Sequence, residues 1–244
     1  MEYVIPAPQT PSLSVEGSPA LARASSSTAP VRASASSTSV ASSRAARISN
    51  QRAGRGRSIK SYLYVFFDTF VGGGLVIDSH LHTGLRGNAG AVGSMPMQQA
   101  QPHSASPMQF LGVASLFNLE QRYRAAGLPV QASTDERALQ APWAEHTEAW
   151  LALSANALAL VAHNANCLLD FDGVIVDGIM HRSLLARLLE DTRLAMQDYN
   201  WEGSHRPPLF EGAIGADARA MGGALLPLYS NFAPDRDLFL KLDE

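Results

Sequence analysis

Residues 62–82 read YLYVFFDTFVGGGLVIDSHLH, and the break in pattern inside this stretch decides the fold. Tyr62-Leu63-Tyr64-Val65-Phe66-Phe67 is aromatic and β-branched, which is strand composition. Asp68-Thr69-Phe70-Val71-Gly72-Gly73-Gly74 interrupts the run, and Leu75-Val76-Ile77 resumes it. The spacing predicts a strand, a glycine-rich turn and a second strand. Asp78-Ser79 predicts a further turn into a short antiparallel strand over residues 80–84.

Downstream, residues 84–107 are rich in Gly, Pro, Met and Gln and read as an irregular loop. Pro107 stands where a helix can begin, and Phe110, Leu111, Ala114, Leu116, Phe117 and Tyr123 predict one ending near Gly127. Ser133-Thr134-Asp135-Glu136 predicts another helix start, with Glu136 as the capping-box acid. A long helical pattern covers residues 142–166, and Val174-Ile175-Val176 is a short buried strand. Residues 180–199 carry Leu184, Leu185, Leu188, Leu189 and Met196 on one side of an amphipathic helix. Residues 207–210 predict a last short strand, and residues 217–226 a small-residue helix. Strands that are partly hairpin-linked and partly separated by helices make the fold class α/β.

Upstream the composition changes. Residues 1–60 hold eight Lys/Arg against two acids, a balance of +6, while residues 61–244 hold 11 bases and 20 acids, a balance of −9. Ser, Ala, Pro, Thr and Arg dominate the first part without a helical or strand period, so it lacks the apolar surface that offsets ordering entropy. Residues 1–57 are expected to be a low-complexity, disordered segment, and residues 58–244 the folded domain. The same Ser/Ala/Arg bias marks organellar transit peptides, but Glu2 and the lack of an amphipathic Arg-bearing helix argue against that reading. An unrelated reading frame joined near residues 54–58 would produce the same abrupt change.

The acidic part carries no basic stripe, which argues against nucleic-acid binding by this chain alone. Cys167, a single cysteine, excludes an intramolecular disulfide and a cysteine-built zinc site, and it fits a reducing cytoplasm. No apolar run approaches the length of a bilayer span, so no membrane association is expected.

Several stretches could carry chemistry. Thr69 with Gly72, Gly73 and Gly74 could offer a hydroxyl and backbone N–H groups to phosphate, or the glycines could simply supply the positive φ of a tight turn. Neither the P-loop nor the dinucleotide-binding glycine pattern is present. His80 and His82 share one face of a strand, as zinc ligands often do, and Asp78-Ser79-His80-Leu81-His82 resembles the opening metal motif of amidohydrolases. Such an enzyme needs a barrel of roughly 250 residues, more than follow His82, so exposed histidines on a hairpin are the simpler reading. Gly212, Gly215, Gly222 and Gly223 suit either packing on an adenosine or close approach of another element. His163 and Cys167, four apart on a helix, read as core or boundary packing.

The stretch DTFVGGGLVIDSHLHTGLRGNAGAVGSM, residues 68–95, resembles the signature region of the ROK family of bacterial sugar kinases and sugar-responsive repressors. FDGVIVDGIM and EGAIGADARAMGGALLPLYSNFAPDRDLFLK resemble that family's C-terminal segment, so the likeness covers roughly residues 55–240. It implies an actin-like ATPase, ribonuclease H-like lobe in which Thr69, Gly72, Gly73 and Gly74 are a vestigial phosphate loop. Asn88 and Gly90, within Gly87-Asn88-Ala89-Gly90, would lie on the sugar side.

Departures from the family pattern carry equal weight. Active members follow that Gly-Asn-Ala-Gly with an acid and, three residues later, a histidine; here those positions are Ala91 and Ser94. A cysteine-rich zinc loop is replaced by residues 95–107, which contain no cysteine, so no zinc is expected. Asp68 stands where nucleotide-binding members commonly have glycine, and Asp177 replaces the first of a Gly-Gly pair expected near adenosine. The kinases' general base, an Asp in an Asn-Asp context, has no counterpart in Ser49-Asn50-Gln51, and such a base contributes about 10²–10⁴-fold.

These departures make the expected function that of a truncated ROK-type transcriptional regulator. It would be a cytoplasmic effector lobe without its DNA-binding domain or catalytic residues, binding sugar weakly and forming a homodimer. A degenerate ATP-dependent sugar kinase is the alternative, with ATP as cofactor only in that case. A metal-dependent hydrolase using His80 and His82 is the remote one.

Overall fold

The structure, a computed structural model, describes residues 59–101 and 105–217. Among the described residues five strands form one mixed sheet: β1 (Tyr62–Phe67), β2 (Val71–Ile77), β3 (His80–His82), β4 (Gly173–Gly178) and β5 (Leu209–Glu211), in the spatial order β3-β2-β1-β4-β5. The first three form an antiparallel meander, while β4 pairs parallel to β1, and β5 parallel to β4. A parallel partner demands a crossover, and helices supply it. Between β1 and β4 run α1 (Phe110–Ala114), α2 (Leu116–Ala125) and α3 (Ala144–Leu169), and α4 (Arg182–Ala195) leads to β5.

β1 shows why an uninterrupted apolar run belongs at the centre. All six of its residues are buried, because the sheet is covered on both faces. Leu63, Val65 and Phe67 point into the larger core with Val174, Val176, Trp150, Leu158 and Leu188. Tyr62, Tyr64 and Phe66 join Ile59, Val76, Ile175 and Ile214 on the other face. Trp150 anchors the helical layer; its ring meets Phe67 edge-on at 6.4 Å and its Nε1 donates to the Ser115 carbonyl at 3.2 Å.

Several expectations are corrected. Gly72, Gly73 and Gly74 are not in the turn but inside β2, registered against Phe66, Val65 and Tyr64, and none has positive φ. Asp68-Thr69-Phe70 make the turn, so β2 starts at Val71 rather than Leu75. Gly73 is required by close packing: a Cβ on it would lie 2.7 Å from Val92 Cγ2 and 2.8 Å from the Gly90 carbonyl oxygen. β3 stops at His82, two residues short of the expected end.

The single helix expected to end near Gly127 is broken at Ser115, whose ψ of 152° is extended. There the amides of Leu116 and Phe117 donate to the Asp68 and Thr69 carbonyls, and this tertiary pairing outweighs local helix continuity. Glu136 is not a capping-box acid. Asp135 is the cap, accepting from the Arg137 amide, and only a four-residue 3₁₀ turn, Glu136–Leu139, follows.

α3 also revises the reading of apolar length. As a helix it is long and apolar enough in composition to cross a membrane, because its many alanines never form one contiguous run of large side chains. In the fold it is a core helix, burying Trp150, Leu151, Leu158 and Val161. Apart from Asp217, which ends a 3₁₀ turn, the helix expected over residues 217–226 lies outside the described residues, as does the segment 1–57.

Candidate functional site

The carboxyl ends of β1 and β4 lie side by side, since Phe66 registers with Asp177 and Phe67 with Gly178. In open α/β sheets this end is where ligands are received. Asp68 follows β1 and is buried, and its Oδ1 accepts from the Thr69 amide at 2.6 Å. Thr69 itself is half-buried in the turn, and Phe70 beside it stacks at a tilt on Phe117, 6.0 Å between centroids.

Of the candidate phosphate-loop and sugar-side residues, Gly73, Gly74 and Gly90 come into contact. Gly90, at φ 78°, rests on the β2 backbone so closely that a Cβ on it would lie 2.6 Å from Gly74 Cα. Gly73 and Gly74 are buried beneath this loop, Gly72 is half-buried, and Asn88 is exposed with its carbonyl accepting from Ala91 N. Ala91 and Ser94, where the resemblance implies an acid and a histidine, are exposed.

One densely bonded polar group is a residue that the sequence reading treated only as a departure. Asp177 is fully buried at the end of β4 and accepts from the amides of Gly178 (2.9 Å), Ile214 (2.9 Å) and Gly215 (3.2 Å). Arg182 Nη1 reaches it at 3.1 Å and Tyr64 Oη donates to it at 3.3 Å. Burial, and then the adjacent Asp177 charge, push the Tyr64 phenol well above its ordinary range, so it stays a donor. A signal was present: one acid inside the apolar run Val174-Ile175-Val176-Asp177 needs a buried partner, and Arg182 follows five residues on.

The other candidates separate. His80 and His82 are exposed on the edge strand β3, and His80 Nδ1 contacts the Asp78 carbonyl at 2.7 Å. Among the described residues no group of three or more His, Cys, Asp or Glu could hold a metal ion, and the sheet is open rather than a closed barrel, so the hydrolase reading has no support. His163 is boundary packing: its ring stacks on Tyr199 at 5.0 Å and meets Trp201 at 4.7 Å, while Cys167 is exposed. Gly212 answers to close packing, since a Cβ there would sit 2.4 Å from Asp177 Cβ.

Comparison with known proteins places this geometry. The model of the ROK family matches residues 39–228, starting inside the Ser/Ala/Arg-rich segment. Among solved structures, the ROK hexokinase from Thermus thermophilus aligns with a TM-score of 0.57 and 23% identity, covering 78% of this chain and 65% of that one. A ROK family protein from Streptococcus pneumoniae TIGR4 in complex with sucrose aligns at 0.60 and 19%, covering 78% and 64%. A ROK family transcriptional regulator, a homolog of the E. coli MLC protein, aligns at 0.56 and 17%, covering 75% and 50%. The chain thus spans less than two thirds of the length of these structures. No curated protein matches it. The fold is the actin-like ATPase α/β fold, and the chain belongs to the ROK family.

Proposed function

We propose that this chain is the sugar-responsive effector lobe of a ROK-type transcriptional regulator, cytoplasmic and without phosphotransfer activity. One observation carries the reading: Asp68 and Asp177 place two buried carboxylates at the carboxyl ends of β1 and β4. A polyphosphate approaching that end finds the amides of Thr69, Gly178, Ile214 and Gly215 already given to these carboxylates instead of a ring of unengaged N–H donors. Ala91 and Ser94 support it, as neither can act as an acid, a base or a metal ligand of the expected kind. Thr69, Gly72, Gly73 and Gly74 are then remnants of a phosphate loop, with Asn88 and Gly90 on the sugar side. In the resemblance a sugar lies between two lobes, so this lobe binds hexose weakly.

The second reading, a degenerate ATP-dependent sugar kinase, is favoured by the fold similarity to the Thermus thermophilus hexokinase. Two measurements on the purified chain separate them. Isothermal titration with glucose, N-acetylglucosamine and N-acetylmannosamine is expected to give weak binding or none, and a coupled assay with ATP no phosphorylation. Turnover that Thr69→Ala abolishes would establish the kinase, and tight hexose binding would contradict the one-lobe account.

A further inference from the structure

A buried carboxylate is costly unless its lone pairs are met, and Asp177 is met by an unusual set. Three main-chain amides, a guanidinium and a phenol converge on its two oxygens. Ile214 and Gly215 give consecutive N–H groups to the same anion, with Gly215 at φ 63°, the concave arrangement in which proteins bind oxyanion ligands. Arg182 does not depend on Asp177 for its position. Its Nη1 also donates to the Gly212 carbonyl at 2.7 Å and lies 3.5 Å from Glu211 Oε1.

The surrounding backbone is cut to fit this occupant. A Cβ on Gly212 would lie 2.6 Å from Asp177 Oδ2, and one on Gly215 would lie 2.7 Å from Arg182 Nη2. Glycines at both places leave room for one carboxylate and one guanidinium and little else.

We propose that Gly178, Arg182, Ile214 and Gly215 form an oxyanion-binding site whose resident ligand is the chain's own Asp177 carboxylate. The internal ligand pins the 212–215 segment to the end of β4 and keeps small external oxyanions out. Removing it leaves donors in place and creates a vacancy for a small carboxylate from solution. This holds whether the lobe serves a regulator or a kinase, so it stands or falls separately from the function proposed above.

The test is chemical rescue followed by thermal unfolding. Asp177→Ala keeps Cβ and loses the carboxylate, so formate is its size match; Asp177→Gly loses Cβ as well and is matched by acetate. Both variants are expected to melt several degrees below the parent in sodium chloride. The matched anion should return half or more of that loss, with Tm rising with the logarithm of anion concentration. At equal ionic strength the parent should show no anion-specific gain, and adding Arg182→Ala to Asp177→Ala should remove the rescue. If either variant fails to fold in chloride, refolding from urea in formate or acetate but not in chloride supports the site. Equal anion effects in parent and variants, or no recovery in any anion by melting or refolding, overturns it.

Discussion

Gly87 and Gly90 share a left-handed backbone, at φ 72° and 78°, and differ in everything around it. A Cβ on Gly87 would meet nothing within 4 Å, whereas one on Gly90 would press on the Gly74 backbone at 2.6 Å. Gly87→Ala therefore costs only the left-handed strain, about 1–2 kcal/mol. Gly90→Ala adds overpacking of about 1–3 kcal/mol against a strand that cannot yield. Urea denaturation of the two variants should show the larger loss at Gly90, and equal losses would refute the close-packed account of β2. This contact was not legible from the glycine run alone. Three consecutive glycines suggest a turn because φ is a local property, but here Gly73 and Gly74 lie against a loop that returns from residues 87–93.

Elements of this fold are tied at their ends by side chains that satisfy backbone groups. Asp172 accepts from the Lys60 and Ser61 amides at 2.7 and 2.8 Å and returns its own amide to the Ser61 carbonyl, joining the starts of β1 and β4. The bond from Ser61, then that from Lys60, holds the Asp172 carboxyl below the usual carboxylate range. A carboxyl lowered on folding stabilises the native state above its unfolded pKa, and that contribution is lost as pH falls through the folded value. Asp172→Asn should be less stable than the parent at neutral pH, with the gap closing as pH drops below about 4. A gap independent of pH in urea titrations would count against this anchor.

At the C-terminal end of α3, Asn166 does comparable work, accepting from the Phe171 amide and donating to the His205 carbonyl. Inside the helical layer, Thr147 Oγ1 gives its proton to the Ala138 or Trp143 carbonyl, so Tyr123 donates to Thr147 at 2.6 Å. Tyr123→Phe should lose about 1 kcal/mol, read as a lower urea midpoint with unchanged slope.

For the whole molecule, Trp150 is the residue whose loss propagates furthest, because it joins the sheet through Phe67 and the helix break through Ser115. Trp150→Ala should cost about 3–5 kcal/mol, a large part of the roughly 5–15 kcal/mol that holds a domain folded. Circular dichroism melting is expected to show an early, broadened transition; a parent-like Tm would mean that the two layers hold together without it. Much of the architecture could be read from the chain, because hydrophobic period and turn chemistry act within a few residues. Tyr62–Phe67 had to be a strand, residues 180–199 had to hold an amphipathic helix, and residues 142–166 a long one. The family likeness, too, lies in the order of short motifs. What tertiary structure alone decided were choices made by groups far apart in sequence: the break at Ser115, the glycines inside β2, and the closing of the amides of residues 214 and 215 on Asp177. Each depends on a donor, an acceptor or a volume contributed by a distant segment, and no local pattern records where that segment comes to rest.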